Sequence, residues 1–162
     1  MNRLMAGDDE RKIIATNRRA RFEYEVLESF EAGIALVGPE VKSLRAGKAN
    51  LVDAYAVVRR GEVYLLNLHI SPYAQASREN LDPRRERKLL LHRREILRLA
   101  VKVHERGFTL VPLLLYWKGG RAKVELGLVR GKRMHDKRET IRRREIDREL
   151  ARAARGRGRS RP

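Results

Sequence analysis

A mainly β domain built around one core, with two helices between its strands and a basic tail behind it, is the fold class this sequence predicts. Three observations predict it. Apolar and polar residues alternate with a period of two in several short runs, the mark of strands with one buried face. Links bearing glycine or proline separate those runs at the spacing of tight turns. The composition also shifts near the end of the 162-residue chain. Residues 130–162 carry 14 Lys+Arg against 5 Asp+Glu, more than half of the net charge of +17. A shift that sharp marks the edge of a folded domain. The hydrophobic share of 42% suffices for one core, and the length suits one domain.

Taken in order, Phe22, Tyr24 and Val26 alternate with Arg21, Glu23 and Glu25, which predicts a half-buried strand. A break at Ser29–Gly33 then precedes a second strand, Ile34–Val37. Pro39 opens a short helix with Val41 and Leu44 on one side, and Gly47 is placed to end it. Tyr55–Val58 and Val63–Leu66 flank Arg59-Arg60-Gly61, a link suited to a hairpin. Asp82-Pro83 reads as the cap and first turn of a longer helix that stops at Gly107. Leu89, Ile96, Ala100 and Val103 share one of its faces, and Arg84, Arg85, Arg87, Arg94 and Arg98 populate the other. Two more strands, Thr109–Trp117 and Ala122–Val129, join across Lys118-Gly119-Gly120. In the second, Ala122, Val124, Leu126 and Leu128 point in while Lys123 and Glu125 point out. Such short strands with two interposed helices suggest a small barrel, of which the oligonucleotide-binding type (the OB-fold) is the commonest basic example. Periodicity is equally compatible with an open α+β sheet.

The chemistry-bearing residues exclude several function classes. The chain has no cysteine, so disulfides, thiolate nucleophiles and cysteine-based zinc sites are absent, as suits a reducing cytoplasm. Met1–Glu10 has no apolar stretch of the kind a secretory signal needs. The apolar run Leu110–Trp117 is interrupted by Pro112 and falls far short of the roughly 20 residues of a membrane helix. Gly47-Lys48 continues with Ala49 and lacks the earlier glycine of a phosphate-binding loop; Gly131-Lys132 continues with Arg133, which has no hydroxyl for magnesium. His69, His92, His104 and His135 lie far apart with no partner at metal spacing. Asp53 and Glu31 could pair as acid and base only through folding. No metal, cofactor or enzymatic activity is expected.

What remains is a basic protein whose natural partner is a polyanion. Arg84, Arg85, Arg87, Lys88, Arg93, Arg94 and Arg98 meet only Glu86 and Glu95. A face that serves solubility alone mixes its signs, so this one is read as facing RNA phosphates. Trp117, Tyr64, Tyr73 and Tyr116 could stack on bases, but aromatics in strands more often pack in the core or its rim. Glu31 is either an ordinary surface acid or an acceptor for a base amino group, and composition does not choose between these. From Asp136 to Arg155 the tail holds good helix formers with no Gly or Pro, yet Ile141, Ile146 and Leu150 make too thin a stripe to bury. It should be unfolded when free and helical along a polyanionic groove.

Several long motifs carry a resemblance. Phe30-Glu31-Ala32-Gly33-Ile34-Ala35-Leu36 precedes Glu40-Val41-Lys42-Ser43-Leu44-Arg45-Ala46-Gly47-Lys48-Ala49-Asn50. Arg87-Lys88-Leu89-Leu90-Leu91, Leu115-Tyr116-Trp117-Lys118 and Gly131-Lys132-Arg133, leading into His135-Asp136-Lys137-Arg138, follow in the same order. Together they resemble small protein B, the bacterial SsrA-binding protein family, over nearly the whole chain. The resemblance implies an OB-like β-barrel with flanking helices and a C-terminal tail disordered in isolation. The implied division is a flexible N-terminus at 1–12, an RNA-binding barrel at 13–131, and a basic tail at 132–162 that becomes helical on the ribosome.

It also implies a cytoplasmic, monomeric, non-enzymatic adaptor. Such an adaptor binds the tRNA-like domain of transfer-messenger RNA and delivers it to stalled ribosomes for trans-translation. Its tail occupies the empty message channel and decoding centre of the small subunit, against ribosomal RNA. Alanyl-tRNA synthetase and elongation factor Tu would be indirect partners through the RNA. By the same resemblance, Glu31, Lys42, Arg45, Lys48, Lys88, Leu90, His92, Gly131, Lys132 and Arg133 are expected to bind RNA. Many relatives carry Asn at the position of His92. His135, Asp136, Lys137, Arg138 and Ile146 are expected to serve the decoding centre and channel. A structural ribosome-associated protein is the alternative of another class, and an enzyme acting on RNA a third.

Overall fold

The alternation seen in the sequence is realised in a computed structural model that describes residues 11–74, 81–105, 107–132 and 134–157, with backbone alone for 134–137 and 157. In chain order the elements are β1 (Lys12–Thr16), α1 (Arg18–Glu23), β2 (Tyr24–Ile34), α2 (Gly38–Arg45), β3 (Ala49–Asn50), β4 (Tyr55–Arg59), β5 (Glu62–Leu66), β6 (His69–Ile70), β7 (Arg87–Leu90), α3 (Arg93–Val103), β8 (Phe108–Lys118), β9 (Arg121–Gly131) and α4 (Met134–Arg157). The fold is mainly β, with helices on its flanks. Its larger sheet has the order β1-β8-β4-β5-β7-β2-β9, and β8 also pairs with β9. The pairing therefore runs in a ring, with β1 added outside on β8. The ring is thinnest at Ala56↔Leu110 between β4 and β8 and at the two pairs between β2 and β7, Gly33↔Leu90 and Ile34↔Leu89.

The hairpins form where the sequence places them. Arg60 and Gly61 have φ of 52° and 72°, and Gly119 and Gly120 have 57° and 74°. Two consecutive left-handed residues make the turn whose twist matches the flanking strands. Inside the ring, Ala122, Val124, Leu126 and Leu128 of β9 are buried against Leu65, Leu89, Leu110 and Leu115. Trp117 packs half-buried on this cluster, as the packing reading has it. On the outer face α1 covers a second cluster of Ala20, Val111, Leu113 and Val129. Buried Asn17 caps α1 by accepting from the Ala20 N–H, while its amide donates to the Pro112 carbonyl at 2.9 Å. Gly127 makes room here, since a Cβ would meet Leu113 Cδ1 at 2.9 Å.

Two sequence expectations are corrected. The break at Ser29–Gly33 is absent: β2 runs unbroken over Tyr24–Ile34, bulged between Val26 and Glu28, because β9 offers a partner along nearly its whole length. Ile34 therefore ends β2 rather than opening a new strand, and Phe22 belongs to α1. The helix expected from Asp82-Pro83 to Gly107 is instead strand β7 followed by helix α3. Arg87 and Leu89 are buried while Lys88 and Leu90 are exposed, a period of two that pairing with β5 and β2 enforces over helix propensity. The tail is helical over Met134–Arg157, as its run of helix formers allows. Ile141, Ile146 and Leu150 remain exposed on it. Residues 1–10 and 158–162 of the expected flexible N-terminus and Arg-Gly ending lie outside the described residues, and Lys12 already belongs to β1.

Candidate nucleic-acid interface

An open groove of about 830 Å³ runs between β7, the N-terminal turns of α3, and the outward residues of β2 and β9. It gathers four residues that the sequence motifs single out: Glu31, Lys88, Leu90 and His92. Each arrives for a local reason. β7 alternates, so Lys88 and Leu90 face out when Arg87 and Leu89 face in. Leu90 is 54% exposed and lies against Gly33, where an added Cβ would sit 3.2 Å from Leu90 Cβ. His92 caps α3, its N–H donating to Glu95 Oε1 at 3.0 Å. Glu31 points outward from β2 because Phe30 and Ala32 fill the core. Arg60, Arg93 and Lys123 line the same groove, with Glu62 and Glu95 and a second exposed leucine, Leu97. Glu62 faces Lys88 and Glu95 caps the His92 N–H, so Glu31 and the exposed leucines stand among cationic side chains. That arrangement can hold phosphates on its rim and meet a base or ribose donor at its centre.

Glu31 is held on several sides. The Tyr116 hydroxyl donates to Oε2 at 2.6 Å, and Lys118 Nζ lies 3.2 Å from both carboxylate oxygens. The Arg11 guanidinium stands 3.7 Å from Oε2 and over the Tyr116 ring, 4.9 Å from its centroid. Burial pushes the Glu31 carboxyl up, but the bonds from Tyr116 and Lys118 and the Lys118 and Arg11 charges outweigh it and hold the group below the usual carboxylate range. Burial and the neighbouring Glu31 push the Tyr116 hydroxyl up, so it stays a donor at neutral pH. Tyr116 is buried, at 1% exposure, as the packing reading has it, and its ring is not open for stacking on a base.

The basic face read from residues 84–98 divides in the structure. Arg87 is 0% exposed: it donates from Nε to Glu40 Oε2 at 2.6 Å, from Nη1 to the Leu68 carbonyl at 2.6 Å and from Nη2 to the Pro83 carbonyl at 3.0 Å. Arg85 binds both Glu40 oxygens as well. Burial pushes the Glu40 carboxyl up; the donors from Arg85, the Val37 N–H and Arg87 more than reverse it. Both arginines tie the β7 segment to α2, and Arg87, fully buried, is not a phosphate ligand. Arg98 pairs with Glu28 at 3.0 Å and Lys88 with Glu62 at 3.4 Å. Nothing in the sequence near Arg87 signals its burial, since its carboxylate partner is 47 residues away.

The other motif residues sit elsewhere. Lys42 and Arg45 are exposed on α2 and Lys48 just past it, outside the groove lining. Gly131 ends β9 opposite Tyr24, and the Lys132 N–H donates to the Glu23 carbonyl at 3.0 Å. Since Glu31 pairs with Glu125 on the same two strands, the groove and this exit lie about 20 Å apart at roughly 3.3 Å per residue. Lys132 Nζ reaches Thr140 Oγ1 at 3.1 Å and Arg144 lies over the Phe22 ring, so α4 leaves along α1. Arg133 lies outside the described residues, as do the side chains of His135, Asp136 and Lys137; Arg138 and Ile146 are exposed on α4. Among the described residues no helix is long and apolar enough to cross a membrane, and no group of three or more acids and histidines is placed to hold a metal.

Comparisons with known proteins agree with one another. A profile for the family described as "SmpB protein" matches residues 14–156. The SsrA-binding protein of Desulforudis audaxviator is 56% identical over 152 residues, covering 94% of this chain and 99% of that one. That of Synechococcus elongatus is 59% identical over 150 residues, covering 92% and 97%. A solved chain from "tmRNA-SmpB: a journey to the center of the bacterial ribosome" superposes with a TM-score of 0.64 at 56% identity, over 80% of this chain and 94% of that chain. With a family profile spanning nearly the whole chain and relatives of this identity at full length, the chain belongs to the SmpB family.

Proposed function

We propose that this chain is an RNA-binding adaptor of ribosome rescue. It binds the tRNA-like domain of transfer-messenger RNA in the groove and carries it to ribosomes stalled without a stop codon. Its tail then occupies the empty message channel and decoding centre of the small subunit. The observation that carries this reading is the convergence of Glu31, Lys88, Leu90 and His92, distant in sequence, on one groove with Arg93 and Lys123. The relatives' name, SsrA-binding protein, and the tmRNA–SmpB chain on which this one superposes support the same partner. The ring of strand pairing supports reading the sheet as an OB-like barrel. The exposed stripe of Ile141, Ile146 and Leu150 gives α4 little to bury, which supports a tail disordered in isolation and settled as a helix only along ribosomal RNA.

The adaptor acts in the cytoplasm as a monomer, performs no chemistry itself, and meets alanyl-tRNA synthetase and elongation factor Tu only through its RNA. Copurification from a bacterial lysate followed by RNA sequencing tests this. One small RNA with a tRNA-like end should be recovered near equimolar with the protein. A protein that instead follows ribosomal subunits at all times, with no RNA of its own, would be a structural ribosome component.

A further inference from the structure

We propose that Tyr116 is a positioning residue for RNA recognition: its hydroxyl fixes the Glu31 carboxylate in the groove so that the free lone pairs of Glu31 accept from a donor on the RNA. The proposal rests on the groove being the RNA site. Tyr116 is 1% exposed and cannot itself reach a ligand. Its neighbours Leu115 and Trp117 turn into the ring core, which sends Tyr116 to the outer face of β8, opposite Ile13 of β1 and Lys123 of β9. From there its O–H reaches across β9 to Glu31 Oε2 at 2.6 Å, joining residues 85 apart in sequence. The Arg11 guanidinium over the ring closes the far side.

Glu31 needs such a hold. Its direct neighbour across the ladder is Glu125, and like charges set opposite each other repel. Without a neutral donor on the sheet, the carboxylate would turn toward the flexible cations Lys118 and Arg11 and lose its direction into the groove. A carboxylate offers about four acceptor positions. Tyr116 takes one and Lys118 shares both oxygens, so capacity remains for one RNA donor, a base amino group or a ribose 2′-hydroxyl. Lysine alone could neutralise Glu31 but not aim it, because a four-carbon stem carries a point charge without fixed geometry.

From the tyrosine's side the same bond satisfies a buried hydroxyl, and the two roles separate in measurement. Tyr116→Phe deletes the hydroxyl and keeps the ring. The full-length variant is titrated with the transcribed tRNA-like domain at several salt concentrations, with thermal unfolding measured alongside. Affinity should fall about three- to tenfold, the scale of one hydrogen bond. The slope of log K against log salt should stay unchanged, since no cation is removed. In a Glu31→Gln background the same change should cost nothing further, because there is no longer a carboxylate to aim. Parent affinity in Tyr116→Phe, while Glu31→Ala binds weakly, would overturn the positioning role and leave the groove reading standing. Parent affinity in Glu31→Ala would overturn both. If Tyr116→Phe lowers the unfolding temperature and affinity falls equally in the Glu31→Gln background, the hydroxyl is only structural.

Discussion

Two cationic regions of this molecule are built in opposite ways. In the groove, charge is set on strands whose inward residues are packed to 0% exposure, such as Leu89, Leu126 and Val124, so each outward side chain has a fixed direction. In α4 the charge lies along 24 residues of helix whose large apolar side chains, among those described, are Ile141, Ile146 and Leu150, all exposed. The first region can discriminate because rigid elements preset its hydrogen-bonding groups before a ligand arrives. The second supplies length and charge with little apolar surface to bury, which suits a segment that lies along a polyanion. On the proposed reading, the folded face recognises the RNA and the helix serves delivery within one short chain.

The largest expected effect falls on the tail. Replacing Asp136, Lys137 and Arg138 together with Ala should abolish tagging of nascent chains on stalled ribosomes in a reconstituted assay. Binding to the tRNA-like domain should stay within about twofold of the parent, because those positions lie beyond the strands that form the groove. Loss of both activities together would break the division between the regions.

Next is the anchor under the groove. Arg87→Ala leaves Glu40 with Arg85 alone and takes the donors from the Leu68 and Pro83 carbonyls, and removing one member of a buried pair costs about 3–5 kcal/mol. Denaturant unfolding should report a loss of that order, with RNA binding lost as β7 detaches from α2. Arg84→Ala, by contrast, touches an exposed side chain and should leave stability within about 0.5 kcal/mol.

The anchor also shows what the sequence carries and what it does not. The hairpins of β4–β5 and β8–β9 are legible because a period of two and glycine-bearing turns are local signals. β7 is not, because its four residues sit in a run of helix formers and take their conformation from partner strands. Arg87 looks like one more surface cation until Glu40, far away in sequence, is folded beside it. Glu31, Leu90 and His92 are legible only as family motifs, and Tyr116 only as a strand aromatic: a hydrogen bond across 85 residues leaves no periodic trace.

A smaller effect tests the groove's cations. Neutralising Lys88 and Lys123 to Gln should reduce the log–log salt slope for RNA binding by about 0.7–0.9 for each phosphate that is no longer neutralised. An unchanged slope would place the phosphates elsewhere, with Lys42, Arg45 and Lys48 the next set to neutralise.

The smallest effect is acid sensitivity. Glu31 and Glu40 both have carboxyls held below their ordinary range in the folded chain. The unfolded chain then binds protons more readily, so their contribution is complete above the ordinary carboxylate range and is lost as pH falls through the lowered folded values. Unfolding temperature should drop between about pH 5 and pH 3, with a shallower drop in Glu40→Gln. An equally steep drop would mean other carboxylates dominate.

The division of labour itself is tested most directly by titrating the tRNA-like domain with a chain truncated before Asp136. The account predicts an affinity close to the parent's at fixed salt, and weakened about tenfold or more when Glu31→Ala is added to the truncated chain. A truncated chain that loses affinity in proportion to the charge removed, and that no longer responds to Glu31→Ala, would contradict it: binding would then belong to the tail as a polycation rather than to the groove.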